Sequence, residues 1–151
     1  MKINYKKLLI YIIITFFIGN FFTLFISTNI YENINKGINV PSIIFPIVWT
    51  ILYLLMSISI YIIDETNSKN EITAKKIYFS QLIINSLWTL IFFGLKLYTL
   101  SLIWIILLII TVIIMIIYFY KINKISGIIN IPYLIWLIFA SYLTLSIIIL
   151  N

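Results

Sequence analysis

Pro41 to Ser59 reads Pro-Ser-Ile-Ile-Phe-Pro-Ile-Val-Trp-Thr-Ile-Leu-Tyr-Leu-Leu-Met-Ser-Ile-Ser. The apolar run goes on to Ile63. A helix of about 20 residues is roughly 30 Å long, the thickness of a bilayer's hydrocarbon core. Pro41 and Pro46 suit its entry, because proline lacks the amide that a first helical turn leaves unused. Phe45, Trp49, Tyr53 and Met56 recur at intervals of four, four and three, so they share one face. Packing is the commoner meaning of such a stripe, and a ligand wall is the alternative.

Composition extends the membrane reading to the whole chain. The 151 residues are 64% hydrophobic and 9% charged, with a mean hydropathy of +1.19. A water-soluble domain of this length could not hide that much apolar surface. The net charge of +6 comes from ten lysines against four acids. The lysines fall between apolar runs and form no basic face, so nucleic acid is not an expected partner. With neither cysteine nor histidine in the chain, disulfides, zinc sites and the usual haem ligation are excluded, and no metal or cofactor is expected. The N-terminal apolar stretch lacks a small-residue cleavage site and is expected to be a retained helix.

Five spans are predicted, about 8–27, 44–63, 77–95, 100–120 and 128–150, in a single all-α integral membrane domain made of a bundle of transmembrane helices. The first carries Gly19, Thr23 and Ser27 at intervals of four, a pattern that lets helices approach closely in lipid. A polar loop over 28–42, long for neighbouring spans, is either a lid or a linker. The third span is the most polar, with Gln81, Asn85, Trp88 and Phe92 on one face. Amides in hydrocarbon need partners, so this face points into the bundle, as interhelical glue or as site lining. The fifth span places Pro132, Trp136, Ala140 and Leu143 on one side.

Lysine placement sets the expected orientation. Lys2, Lys6, Lys7, Lys69, Lys75, Lys76, Lys121 and Lys124 fall on one side of the five-span layout, and Lys36 and Lys96 on the other. The positive-inside rule then puts the N-terminus in the cytoplasm and the C-terminus outside. A bacterial cytoplasmic membrane is the expected location.

Three stretches carry a family resemblance. Pro41-x-x-x-Phe45-Pro46-x-Val48-Trp49-Thr50-x-Leu52-Tyr53-x-x-Met56-x-x-Ser59 resembles the second helix of the tryptophan-rich sensory protein, or translocator protein, family. Asn85-x-x-Trp88-x-x-Ile91-Phe92-Phe93-Gly94 is similar to its third-helix motif, and Ile131-Pro132-Tyr133-x-x-Trp136-x-x-Phe139-Ala140-x-Tyr142-Leu143 to its fifth. Tyr31 and Lys36 match part of its first-loop pattern. The chain departs from the family at Ile30, Gly37, Val40 and Ile43, and carries Trp104 where an aspartate is frequent.

The resemblance implies a five-helix bundle, often a homodimer, that binds porphyrins and other hydrophobic small molecules in a pocket opening toward the first loop. Trp49, Tyr53, Trp88, Phe92, Trp136 and Ala140 would line the pocket, and Tyr31 would sit in the lid. The stripes themselves point the same way: three bundle-facing aromatic faces could form an apolar chamber with Gln81 and Asn85 as its polar anchors, a mixture that suits a large planar ligand. Binding, for tetrapyrrole handling or stress sensing, is the leading expectation. The first alternative is light- or oxidant-driven porphyrin breakdown, which would rest on Trp49 and Trp136 because every carboxylate lies in a loop. Passive transport of hydrophobic ligands is the other. Ion-coupled transport is disfavoured, since no charge falls within a span and no internal repeat is visible.

Overall fold

The structure, a computed structural model, describes residues 3–26, 34, 35 and 37–151. Helices account for its ordered elements, and no strand occurs among the described residues. They are α1 (Tyr5–Gly19), α2 (Ile44–Glu65), α3 (Glu71–Thr89), α4 (Tyr98–Ile122), the short α5 (Lys124–Ile128) and α6 (Ile131–Leu150). The stretches Ile44–Glu65, Glu71–Gly94, Tyr98–Ile122 and Lys124–Leu150 are each long and apolar enough to cross a membrane.

The first span departs from a single helix over 8–27. Its α-helix stops at Gly19, and a 3₁₀ turn follows over Phe22–Phe25. Polar side chains mark the break: Asn20 Nδ2 donates to Phe16 O at 3.0 Å, and Thr23 Oγ1 donates to Asn20 O at 2.6 Å. Both carbonyls also accept main-chain N–H groups, from Asn20 and Thr23 at 3.0 Å each, so each side chain adds a second bond where the helix changes form. At about 1.5 Å per α-helical residue and 2 Å per 3₁₀ residue, the two pieces together cover roughly 30 Å. Ser27 lies outside the described residues.

The second loop is shorter than its charges suggest, because α3 already starts at Glu71. Glu71 sits in the first turn, where the helix dipole favours an acid, and pairs with Lys75 one turn on. Lys75 also bonds Asp64, whose side chain is only 8% exposed. Lys7 completes the cluster, 2.7 Å from Asp64 Oδ2 and 2.8 Å from Glu65 Oε1. These hydrogen bonds, to Asp64 first and Glu65 next, hold the Lys7 ammonium above the usual lysine range. One ion cluster thus gathers the ends of α1, α2 and α3 at a single face of the bundle.

The helices close a ring in the order α1, α2, α6, α4, α3. Packing joins α1 to α2 and α3, α3 to α4, and α4 to α5 and α6. Gly19 lets α1 reach α2, since a Cβ there would stand 2.5 Å from Tyr53 Cζ. Trp104 donates Nε1–H to Ile84 O at 2.9 Å and so fixes α4 on α3. Where α2 meets α5 and the entry of α6, a fully buried polar joint holds them. Asn130 Nδ2 donates to Ser59 Oγ at 2.6 Å and to Ser126 O at 2.9 Å, and Ser126 Oγ donates to Ser59 O at 2.8 Å. In hydrocarbon, such groups gain by satisfying one another, although Asn130 Oδ1 is buried without a hydrogen-bond partner among the described residues.

Candidate functional site

Toward the end of the bundle away from the ion cluster, side chains of α2, α3 and α6 meet around its interior. Phe45, Trp49 and Tyr53 come from α2, one helical turn apart. Trp49 lies against Tyr53, ring centroids 5.4 Å apart, and against Tyr133 of α6 at 6.2 Å. Phe45 meets Trp136 edge to face at 5.8 Å. On α3, Trp88 and Phe92 stack at 5.1 Å. Just past Thr89 the helix widens into a π turn over Leu90–Gly94, closed by Leu95 N–H to Leu90 O at 2.9 Å. Ile91 and Phe92 are both buried within that turn. Turns of this kind recur at functional sites.

Two amides stand among these rings. Gln81 Oε1 accepts from Tyr133 Oη at 3.0 Å, and Asn85 Nδ2 donates to Tyr53 Oη at 3.3 Å. Both residues are fully buried, so the amides do tie α3 to α6 and to α2. They also have capacity to spare. Gln81 Nε2 and Asn85 Oδ1 are buried with no hydrogen-bond partner among the described residues, and so are Ser86 Oγ, Trp88 Nε1 and Trp136 Nε1.

A small cavity of about 20 Å³ lies at the loop side of these groups, large enough for about one water. Trp88, Phe92, Phe45 and Ala140 line it, with Thr144 and Ile147 further along α6. Gly37, Ile38 and Val40 of the first loop complete its wall.

Each residue singled out in the sequence can now be placed. Trp88, Phe92 and Ala140 border the cavity directly. Trp136 reaches it through Phe45, and both it and Trp49 are half-buried. Trp49 stands one turn along α2 toward the ion cluster, against the tyrosine pair. Tyr53, Gln81 and Asn85 are buried beneath. Tyr31 lies outside the described residues. Sequence reading gave Phe45 and Tyr133 no role in the site, although both carried a signal. Phe45 heads the stripe of Trp49 and Tyr53, and Tyr133 shares a face with Trp136 and Ala140 at intervals of three and four. Nothing in the sequence marked Thr144 or the loop residues 37, 38 and 40 as lining.

The described carboxylates Asp64, Glu65 and Glu71 all belong to the ion cluster at the opposite face. The interior therefore offers aromatic faces, indole N–H donors and two amides.

Apolar spans packed into a ring around an aromatic interior define an α-helical integral membrane protein. The sequence model described as the TspO/MBR family matches residues 8–150, and the chain belongs to that family. It is 37% identical over 136 residues to the "Tryptophan-rich protein TspO" of Archaeoglobus fulgidus, covering 89% of this chain and 88% of that one. It is 33% identical over 107 residues to the "Tryptophan-rich sensory protein" of Cereibacter sphaeroides, covering 70% and 66%. To "Protein CrtK" of Rhodobacter capsulatus it is 31% identical over 120 residues, covering 78% and 75%.

Proposed function

We propose that the interior binds a planar, mostly apolar ligand of the tetrapyrrole class, a porphyrin first of all, in the service of tetrapyrrole handling or stress sensing at the membrane. The observation that carries this reading is the set of orphaned polar atoms among the rings: Trp88 Nε1, Trp136 Nε1, Gln81 Nε2 and Asn85 Oδ1. A buried polar atom without a partner costs about 1–3 kcal/mol, and hydrocarbon supplies no water to relieve it. A flat aromatic ligand with acceptors on its edge would cover the rings and satisfy the indoles together. Its admission requires the present 20 Å³ space to widen.

Quenching of tryptophan fluorescence by protoporphyrin in detergent or nanodiscs tests the reading. The native chain should bind saturably. Trp88→Phe keeps a ring but removes an N–H donor, and should weaken binding about fivefold, the equivalent of roughly 1 kcal/mol. Absence of saturable binding by the native chain would remove the proposal. Unchanged affinity in a Trp88→Phe/Trp136→Phe protein would remove the indoles as anchors.

The same reading puts the cavity on the outer side, with the ion cluster and the N-terminus in the cytoplasm, following the lysine distribution. A thiol introduced by Asn70→Cys should react only with reagent supplied from the cytoplasmic side, and one introduced by Asn39→Cys only from outside. Both residues are exposed. Reaction of both from one side would contradict the arrangement of the spans.

A further inference from the structure

At the end of the bundle away from the ion cluster, an open cleft of about 760 Å³ lies between the start of α4 and the last turn of α6. Ile147 alone borders both this cleft and the interior cavity, so the two are separate spaces. The cleft is polar at its rim and aliphatic further in. Lys96 and Thr99 stand at the rim, both exposed. Leu100 and Ile103 follow along α4, and Ile148 borders the cleft from α6. At about 1.5 Å per residue, Ile103 lies roughly 8 Å further along α4 than Tyr98. Tyr98 is braced against Phe92, ring centroids 5.4 Å apart, and tyrosine favours the level of lipid headgroups.

Lys96 is set apart in two ways. Its backbone has a φ of +55°, a left-handed conformation that suits glycine or asparagine better than lysine. A lysine held there points to a use for its side chain. Its charge is also unopposed among the described residues, because Asp64, Glu65 and Glu71 all belong to the ion cluster at the other end. We propose that this cleft seats a phospholipid with an anionic headgroup. The lipid phosphate would lie against Lys96 and Thr99, and the upper part of one acyl chain along Leu100, Ile103 and Ile148. An ammonium and a hydroxyl donor above an aliphatic wall match such a lipid in charge and in the order of polarity. A zwitterionic lipid offers the same phosphate but brings a cation toward the lysine. A free phosphate would leave the aliphatic wall uncovered. A second copy of the chain, packed here about a twofold axis, would set two Lys96 ammoniums against each other. The proposal is independent of what the interior binds.

The absence of cysteine from the chain allows a single label to test this. Leu107→Cys places a thiol one turn beyond Ile103, on an exposed part of α4 outside the cleft's lining. Bimane attached there is quenched by a nitroxide on the acyl chain of a lipid seated in the cleft. Nanodiscs of neutral lipid, each holding one copy of the protein, receive nitroxide-labelled phosphatidylglycerol or phosphatidylcholine. Phosphatidylglycerol should quench at about fivefold lower mole fraction, the factor expected of one lysine at a membrane surface. Lys96→Asn, which suits the left-handed backbone, should abolish that preference, and Lys96→Arg should keep it. Ile148→Phe, which narrows the cleft, should reduce quenching by both lipids. Lys121→Gln/Lys124→Gln removes two charges at the opposite face and should leave the preference unchanged. An equal preference in the parent and in Lys96→Asn would overturn the site. Loss of the preference in Lys121→Gln/Lys124→Gln would also do so, by making the effect one of net charge. Relief of the quenching by millimolar inorganic phosphate would replace the lipid with a free anion. A preference found only in discs holding two copies would replace it with a second chain. Lower stability of Lys96→Asn in neutral detergent would show that the lysine already serves a contact within the protein, which contradicts the proposal.

Discussion

Replacing both Trp49 and Trp136 by alanine is expected to weaken protoporphyrin binding by about a hundredfold, the largest effect at the site. Ring contact with an aromatic ligand contributes about 0.5–1.5 kcal/mol per indole beyond the burial of its area, and truncation removes both terms. Two such losses come to roughly 3 kcal/mol, or about two decades in Kd. The neighbours add to the effect. Trp136 supports Phe45 at 5.8 Å, and Trp49 stands between Tyr53 and Tyr133. Fluorescence of the remaining tryptophans, or absorbance of the porphyrin itself, gives the affinity. A folded double variant that binds at the parent's affinity would remove these two residues from the site. The phenylalanine variants ask a separate question. If the interior also promotes light-driven breakdown of its ligand, Trp49→Phe or Trp136→Phe should slow the loss of porphyrin absorbance under illumination while leaving most of the binding. An unchanged rate in both would mean binding without chemistry at these indoles.

Gly127→Ala should destabilise the fold by about 3 kcal/mol or more, a larger penalty than other glycines here would show. A Cβ at Gly127 would stand 2.6 Å from Tyr120 Cβ, 2.7 Å from Tyr120 Cα and 2.8 Å from Tyr120 N. Two of those three atoms are main chain of α4, so no side-chain rotation relieves the clash. Overpacking of a tight contact costs about 1–3 kcal/mol, and more where the neighbour is backbone. Relief would push α5 off α4 and disturb the joint that Ser126 of α5 shares with Ser59 and Asn130. Gly94→Ala is the comparison. Its Cβ would first meet Leu90 Cδ1 at 3.0 Å, the end of a flexible side chain, at an exposed position. A change within about 0.5 kcal/mol is expected there. Unfolding in mixed micelles with rising denaturing detergent measures both, and equal stability of the two variants would contradict the packing described at Gly127.

Hydropathy alone pointed to the membrane class and to the long apolar helices. Lipid imposes a simple requirement, about 20 apolar residues with their backbone bonds satisfied internally, and α2, α4 and α6 meet it with boundaries near those read from the sequence. The inward faces were legible for a similar reason. Trp49, Tyr53, Gln81, Asn85, Trp88 and Phe92 repeat at helical intervals, and an amide or a large ring on an otherwise aliphatic helix is readily seen to belong inside. Where the sequence fell short, the cause lay in contacts between segments far apart in the chain. The early start of α3 goes with an ion cluster assembled by three helices; the break in α1 is the local exception, where Asn20 and Thr23 bond carbonyls four and three residues back. Whether Gln81 and Asn85 served as glue or as lining was open in the sequence. Only the tertiary structure showed one atom of each amide bonded across the bundle and the other left unpaired. It alone put Thr144 and the loop residues Gly37, Ile38 and Val40 at the cavity and joined Asn35 to Asn151. A helical period is written locally in the chain, whereas the partner of each buried polar atom depends on how neighbouring helices rotate and approach. Here that approach is limited by glycines whose missing side chains make room for Tyr53 and Tyr120.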